Sequence, residues 1–75
     1  VNSAATFNFK IEKQDVISIT IFNSIGQKID SFEKISYSSG VHNIQWNTDL
    51  ISSGIYFVIF NGTKYYANTK LLVIK

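Results

Sequence analysis

The chain has 75 residues, of which 45% are hydrophobic and 15% aromatic, with no Pro or Cys and a formal net charge of +2. This length predicts one domain over residues 1–75, whose small core neither disulfides nor a thiolate metal site can support. The charge comes from scattered lysines without a basic cluster, which does not indicate a nucleic-acid partner. No apolar run approaches the roughly 20 residues of a membrane helix, so no membrane span is predicted.

Alternating apolar and polar residues predict short strands from the start of the chain. The opening residues VNSAATFNFK lack the basic and apolar regions of a signal peptide, so none is predicted there. The first two strands are predicted in ATFNFKIE and VISITIF, with a turn at residues 13–15 between them. In each strand the apolar residues share one face: Phe7, Phe9, Ile11, Ile17, Ile19 and Ile21.

The middle of the chain predicts a turn, a short strand, a loop and a fourth strand. The turn lies in NSIGQKI, where Gly26 is the residue able to adopt a positive φ. The short strand KIDSF follows, and residues 33–40 are predicted as a loop. The fourth strand, VHNIQWN, places His42, Ile44 and Trp46 on one face.

The stretch SSGIYFVIFNGTKYY contains the most apolar run of the chain, IYFVIF. A strand that is apolar on both faces is covered on both sides or lies at the centre of its sheet. Asn61-Gly62 predicts a hairpin turn, although Asn61-Gly62-Thr63 also matches a glycosylation acceptor. The last two strands are then predicted in TKYYAN and TKLLVIK.

These elements together predict an all-β fold, an immunoglobulin-like sandwich of about seven antiparallel strands. No segment has a helical period. The residues expected in the core are Phe9, Ile19, Ile21, Ile44, Tyr56 and Val58.

The sequence contains no constellation of catalytic or metal-binding residues. His42 is the sole histidine, and the acidic residues lie at or near turns without a spacing that indicates a shared proton. We therefore predict neither an enzyme nor a cofactor. Trp46 with three tyrosines could form a sugar-stacking platform, but packing of Trp46 between the sheets is the favoured interpretation; the tyrosines are Tyr37, Tyr65 and Tyr66.

Four stretches in order resemble the C-terminal sorting domain of the type IX secretion system of the Bacteroidetes. They are ATFNFKI, ISITIFNSIGQKI, SGVHNIQWNTDLISSGIYFVIF and TKLLVIK, which cover nearly the whole chain. The family's second motif resembles IFNSIGQKI, its third resembles Gly54-Ile55-Tyr56, and its last resembles KLLVIK. The Pro-Asn-Pro segment that typically opens the family is absent. The strand pattern also resembles immunoglobulin-like modules related to the flagellar hook-capping protein.

This resemblance implies that residues 1–75 are a single C-terminal sorting domain that directs a cargo protein across the outer membrane without catalysis. The implied partners are the type IX translocon, an outer-membrane shuttle or sortase, and an N-terminal cargo domain in the same chain, with the domain itself a monomer. Export would run through the periplasm to the cell surface or the medium, and a cell-surface sortase would remove the domain. The alternative is a structural or carbohydrate-binding module of a bacterial surface protein.

The resemblance also implies which residues the export machinery recognises. They are Gly26, Gly54, Tyr56, Lys70 and Lys75. For Gly54 we expect a backbone conformation that other residues resist, and for Tyr56 a buried ring whose hydroxyl bonds near the preceding loop. A structural role and direct recognition both remain open for these two residues.

Overall fold

The described part of the chain folds into strands that are joined by short connections. A computed structural model describes residues 4–75, so the first three residues of the predicted domain lie outside the described part. The strands are β1 (Ala4–Ile11), β2 (Asp15–Asn23), β3 (Lys28–Tyr37), β4 (Gly40–Asn47), β5 (Gly54–Gly62) and β6 (Tyr66–Val73). Within residues 4–75, no helix has the length and apolar character needed to cross a membrane.

The strands form two sheets of unequal size. β1 and β4 make a two-stranded sheet, and the other four strands make a sheet in the order β3-β2-β5-β6. All the pairings are antiparallel. The apolar run of β5 therefore lies between β2 and β6, which confirms its predicted place at the centre of a sheet. The architecture is an all-β, immunoglobulin-like sandwich, as predicted.

The core lies between the two sheets. The ring centroids of Phe9 in β1 and Phe60 in β5 are 5.2 Å apart, and β-branched side chains from β2 fill the centre. The predicted core is confirmed for every residue except Ile44, which is only partly buried and packs against the core. The buried apolar side chains are Phe7, Phe9, Ile11, Ile17, Ile19, Ile21, Trp46, Tyr56, Val58, Phe60 and Val73.

Trp46 joins the two sheets. Its side chain is 2% exposed, and its indole Nε1–H donates to Asp30 Oδ2 on β3 at 2.9 Å. Its ring packs edge-on to Tyr56 on β5, with 5.7 Å between the centroids. A buried indole cannot present its face to a sugar, so Trp46 packs between the sheets as the favoured interpretation expected.

The strand count is six among the described residues, which corrects the prediction of about seven. TKYYAN and TKLLVIK belong to one strand, because β6 pairs with β5 without interruption from Tyr66 opposite Asn61 to Val73 opposite Gly54. The predicted loop at residues 33–40 is also wrong over its first part. β3 continues to Tyr37, which pairs with Asp15 beyond a register shift and packs its ring against Phe9 at 5.2 Å.

The turn of the β5–β6 hairpin lies two residues later than predicted, at residues 63–64 instead of 61–62. Asn61 and Gly62 are strand residues, and the Gly62 N–H donates to the Tyr65 carbonyl at 2.7 Å. Gly62 is not among the glycines with positive φ. Position 62 instead requires glycine for a steric reason, since a Cβ there would lie 2.6 Å from Asp15 Oδ2 and 3.0 Å from Ile17 Cγ1.

Asp15 holds this hairpin in place from the start of β2. Its carboxylate accepts the N–H groups of Thr63, Lys64 and Tyr65 at 3.0, 2.7 and 2.9 Å, and that of Val16 at 2.8 Å. The Lys64 N–H makes the largest contribution, and against the opposing effect of burial these donors lower the pKa of Asp15 from 3.8 to about 2. A carboxylate that accepts several backbone N–H groups is stabilised in its charged form.

Replacing Gly62 by Ala should destabilise the domain, because the added Cβ displaces a carboxylate fixed by backbone donors. We expect a loss of about 1 to 3 kcal/mol in the free energy of unfolding, measured by urea denaturation. Gly26→Ala is a useful comparison because its strain would be purely conformational: Gly26 has a φ of +88° and open space around the Cβ position. A Gly62→Ala protein as stable as the original would show that Asp15 is not tightly fixed.

Asp15 should make the stability of the domain depend on pH in the acidic range. Because its pKa is lower in the folded protein than in the unfolded chain, its contribution is fully present above about pH 4 to 5 and is lost as the pH falls toward about 2. In Asp15→Asn we expect a lower melting temperature at pH 7 and a smaller further decrease between about pH 4 and 2. Glu12→Gln, which removes an exposed carboxylate from the neighbouring turn, should keep the original acid dependence. Thermal melts followed by circular dichroism measure both.

Candidate functional site

Four of the five predicted recognition residues lie at or next to one end of the sandwich, here called the motif end. It consists of the β2–β3 turn (residues 23–27), the connection before β5 (residues 48–53) and the end of the chain (residues 73–75). Asn23 pairs with Tyr56, and Gly54 pairs with Val73, so adjacent strands bring these segments together.

Gly26 lies in a turn that Asn23 organises. Asn23 Oδ1 accepts the N–H groups of Ile25 and Gln27 at 3.1 and 2.9 Å, and its Nδ2 donates to Gln27 Oε1 at 2.9 Å. The Gly26 N–H donates to the Asn23 carbonyl at 3.1 Å. Gly26 has a φ of +88°, in the left-handed region that glycine adopts without steric cost, as the sequence predicted.

Tyr56 connects the core to residues 48–53. Its side chain is 5% exposed, and its hydroxyl donates to the Ser52 carbonyl at 2.6 Å, which confirms the expected buried ring and its bond to the preceding loop. Gly54, at the end of that loop, has a φ of +158°, at the extended limit of the region that favours glycine. A Cβ at Gly54 would meet no atom within 4 Å, so its requirement for glycine is conformational.

Lys75 fastens the end of the chain to the same connection. Its backbone N–H donates to Ser53 Oγ at 2.9 Å, and its Nζ donates to the Asp49 carbonyl at 2.9 Å. Residues 48–53 are therefore held by the Tyr56 hydroxyl from the core and by Lys75 from the chain end. Tyr56 and Lys75, two of the five predicted recognition residues, therefore fix the conformation of the same segment.

Lys70 occupies a different surface from the other four residues. It lies in β6 directly opposite Phe57 of β5, and both side chains are exposed. Residues on β5 alternate between the core and the outer face of the four-stranded sheet, and Phe57 belongs to the outer set. The structure thus brings Gly26, Gly54, Tyr56 and Lys75 to the motif end and places Lys70 on the adjoining sheet face.

The motif end also exposes aliphatic side chains. Ile25 in the β2–β3 turn is 77% exposed, Leu50 in the connection is 99% exposed, and Ile74 beside Lys75 is 79% exposed. Exposed apolar groups that cluster on a surface mark sites of protein contact more often than isolated ones do. The end therefore offers apolar groups on a backbone fixed by turns and hydrogen bonds.

Sequence reasoning missed the residues that fix this end. Asn23 organises the turn around Gly26, and the Ser52 and Asp49 carbonyls receive the Tyr56 and Lys75 side chains. An asparagine that opens a turn is a known local pattern, so Asn23 could have been found. Backbone carbonyls carry no mark in the sequence, so the other two could not.

The remaining polar candidates have structural surroundings. His42 Nε2 lies 2.6 Å from the Ser38 carbonyl, and its ring packs against Phe9 and Tyr37. Among residues 4–75, no group of three or more His, Asp or Glu side chains could hold a metal ion.

The motif end of this all-β sandwich combines a hydrogen-bonded turn, a fixed connection and exposed aliphatic side chains, which makes it a surface suited to contact with another protein. The model of the family described as the secretion system C-terminal sorting domain matches residues 1–75. The chain therefore belongs to this family and is a C-terminal sorting domain of type IX secretion. No curated protein and no solved structure matches the chain.

Tyr56 provides a test of how the motif end is held. Tyr56→Phe keeps the buried ring but removes the bond to Ser52, and we expect it to cost about 0.5 to 1.5 kcal/mol of unfolding free energy. Tyr56→Ala also removes the ring beside Trp46 and should cost about 3 to 5 kcal/mol. Urea denaturation followed by tryptophan fluorescence compares the two. Equal costs would mean that the ring contributes nothing and would contradict the packing described above.

Proposed function

We propose that the export machinery recognises this domain through the motif end, together with Lys70 on the adjoining sheet face. The observation that carries the proposal is that three separate parts of the sequence, Gly26, Gly54 with Tyr56, and Lys75, lie at one end of the fold. Membership in the sorting-domain family supports export as the role of this end.

The motif residues divide into two roles in this proposal. Tyr56 is 5% exposed, so it acts on a partner only through residues 48–53, which its hydroxyl holds. Gly26 and Gly54 allow the backbone of the two loops to adopt its observed path. Lys70 and Lys75 are both exposed, and the Lys75 ammonium group also donates to the Asp49 carbonyl. Recognition of a folded surface of this kind needs a few side chains and a fixed backbone, without a pocket.

In this proposal the cargo domain precedes the sorting domain in one chain and travels through the periplasm to the cell surface or the medium. The partners are the type IX translocon, an outer-membrane shuttle and a sortase that removes the domain at the surface. The domain supplies recognition, not catalysis. A carbohydrate-binding module receives less support, because Trp46 is 2% exposed and cannot stack on a sugar ring.

Removing both motif lysines tests the proposal without removing a strand. We expect Lys70→Ala with Lys75→Ala, fused behind a fluorescent reporter in a type IX secreting host, to stay in the periplasm. Lys70 is exposed and Lys75 loses one exposed hydrogen bond to the Asp49 carbonyl, so the free energy of unfolding should decrease by only about 0.5 to 1.5 kcal/mol. The measurements are the reporter's distribution between periplasm, surface and medium, and the melting temperature of the purified domain.

Lys10→Ala with Lys13→Ala is the matched control, because it removes the same charge from exposed positions near the β1–β2 connection. We expect this control fusion to be exported normally. If the folded Lys70 and Lys75 variant is exported as well as the control, the lysines are not what the machinery recognises. If the unmodified fusion itself stays in the periplasm, the domain is not an export label in that host.

A further inference from the structure

One row of paired residues crosses the outer face of the four-stranded sheet. Lys28 of β3 pairs with Phe22 of β2, Phe22 pairs with Phe57 of β5, and Phe57 pairs with Lys70 of β6. Directly opposite residues in antiparallel strands have Cβ atoms about 4.5 to 5.5 Å apart and share a face. The row therefore reads Lys, Phe, Phe, Lys from one edge of the sheet to the other, and a register shift in β3 between the Ile21 and Phe22 pairings brings Lys28 opposite Phe22.

Further apolar side chains extend the two phenylalanines along the sheet. Ile55 pairs with Leu72, and Ile59 follows Phe57 by two positions on the same face of β5. Ile55 is 42% exposed, Phe57 41% and Leu72 61%. Strands of a sandwich normally carry polar residues on the solvent face. This face instead has a continuous apolar centre, which we call the outer patch: Phe22, Ile55, Phe57, Ile59 and Leu72.

Both ends of the row carry a positive charge. Lys28 and Lys70 flank the phenylalanines, and the row contains no carboxylate. The neighbouring row is uncharged, with Ser31, Thr20, Ile59 and Asn68 in register. Of the β3 carboxylates, Asp30 accepts the Trp46 indole N–H, and the exposed Glu33 lies two residues beyond Ser31, farther from the row.

We propose that the outer patch is a docking surface for a protein that is apolar at the centre of its contact and acidic at the rim. An apolar centre with a charged rim is the usual arrangement of a specific protein contact. The lysine rim determines the sign of the partner's rim, because complementary charge speeds encounter and like charge disfavours it. The proposal rests on the proposed function in that the partner belongs to the export machinery.

The charges and exposures argue against two other occupants. In a two-fold contact between copies that aligns their rows, Lys28 would face either Lys28 or Lys70 of the other copy, and like charges repel. A membrane surface is also disfavoured, since Ile55 and Phe57 are more than half covered by neighbouring residues and cannot insert deeply. A protein surface of matching shape covers such side chains where they lie.

Two variants test the proposal with residues outside the predicted recognition set. Phe57→Thr removes the centre of the patch, and Lys28→Glu reverses one end of the rim. Their matched controls are Val41→Thr, an exposed apolar residue on the two-stranded sheet that is 68% exposed, and Lys10→Glu, an exposed lysine on β1. Each is fused behind the fluorescent reporter in the type IX secreting host, and each purified domain is melted thermally.

We expect Phe57→Thr and Lys28→Glu to reduce the exported fraction by about tenfold, as for central and charge-reversing changes in a protein contact, while both controls export normally. Lys28→Glu lies on an exposed strand end and keeps the inference testable if Phe57→Thr does not fold. Normal export of folded Lys28→Glu would overturn the inference and leave the proposed function standing. Retention of the unmodified fusion would overturn both.

Two measurements on the isolated domain address the other occupants. If sedimentation shows a dimer that Phe57→Thr converts to a monomer, the patch is a contact between copies and the inference is wrong. If the domain floats with vesicles containing phosphatidylglycerol and Lys28→Glu does not, the patch binds an anionic lipid surface and the inference is again wrong. A monomer that does not bind these vesicles supports the proposed partner.

Discussion

The burial of Trp46 between the sheets is the interaction on which the rest of the structure depends. A two-stranded sheet has few side chains with which to cover a four-stranded one, and the indole supplies the largest of them. Its N–H bonds Asp30 on β3, and its ring packs against Tyr56 on β5. One side chain thus contacts two strands of the opposite sheet, and a buried aromatic ring whose polar atom is satisfied stabilises such a junction strongly.

The motif end follows from this junction. Trp46 positions the Tyr56 ring, the Tyr56 hydroxyl holds the Ser52 carbonyl, and Lys75 closes on the same connection from the chain end. The Tyr56 hydroxyl and Ile51, which packs against the core, thus connect this surface loop to the core. Within residues 48–53, Thr48 is buried and Ile51 packs against the core, whereas Leu50 is 99% exposed.

The opposite end of the sandwich depends on a polar constraint. The carboxylate of Asp15 holds the β5–β6 hairpin by accepting hydrogen bonds from three successive backbone N–H groups. Gly62 leaves the space that this carboxylate occupies. The domain is thus fastened at one end by a carboxylate and at the other by a tyrosine hydroxyl. Between them, the outer patch is left uncovered because the small sheet packs only on the inner face.

The sequence by itself determined the all-β class, the inner faces of β1, β2 and β5, the positive φ of Gly26 and the family. Period-two alternation and turn residues are local properties, so they can be read without the fold. Tertiary structure alone decided the six strands, the path of the β5–β6 hairpin and the convergence of Gly26, Gly54, Tyr56 and Lys75. Those features depend on contacts across tens of residues, such as Asp15 with Lys64 and Trp46 with Asp30, whose geometry no local pattern contains.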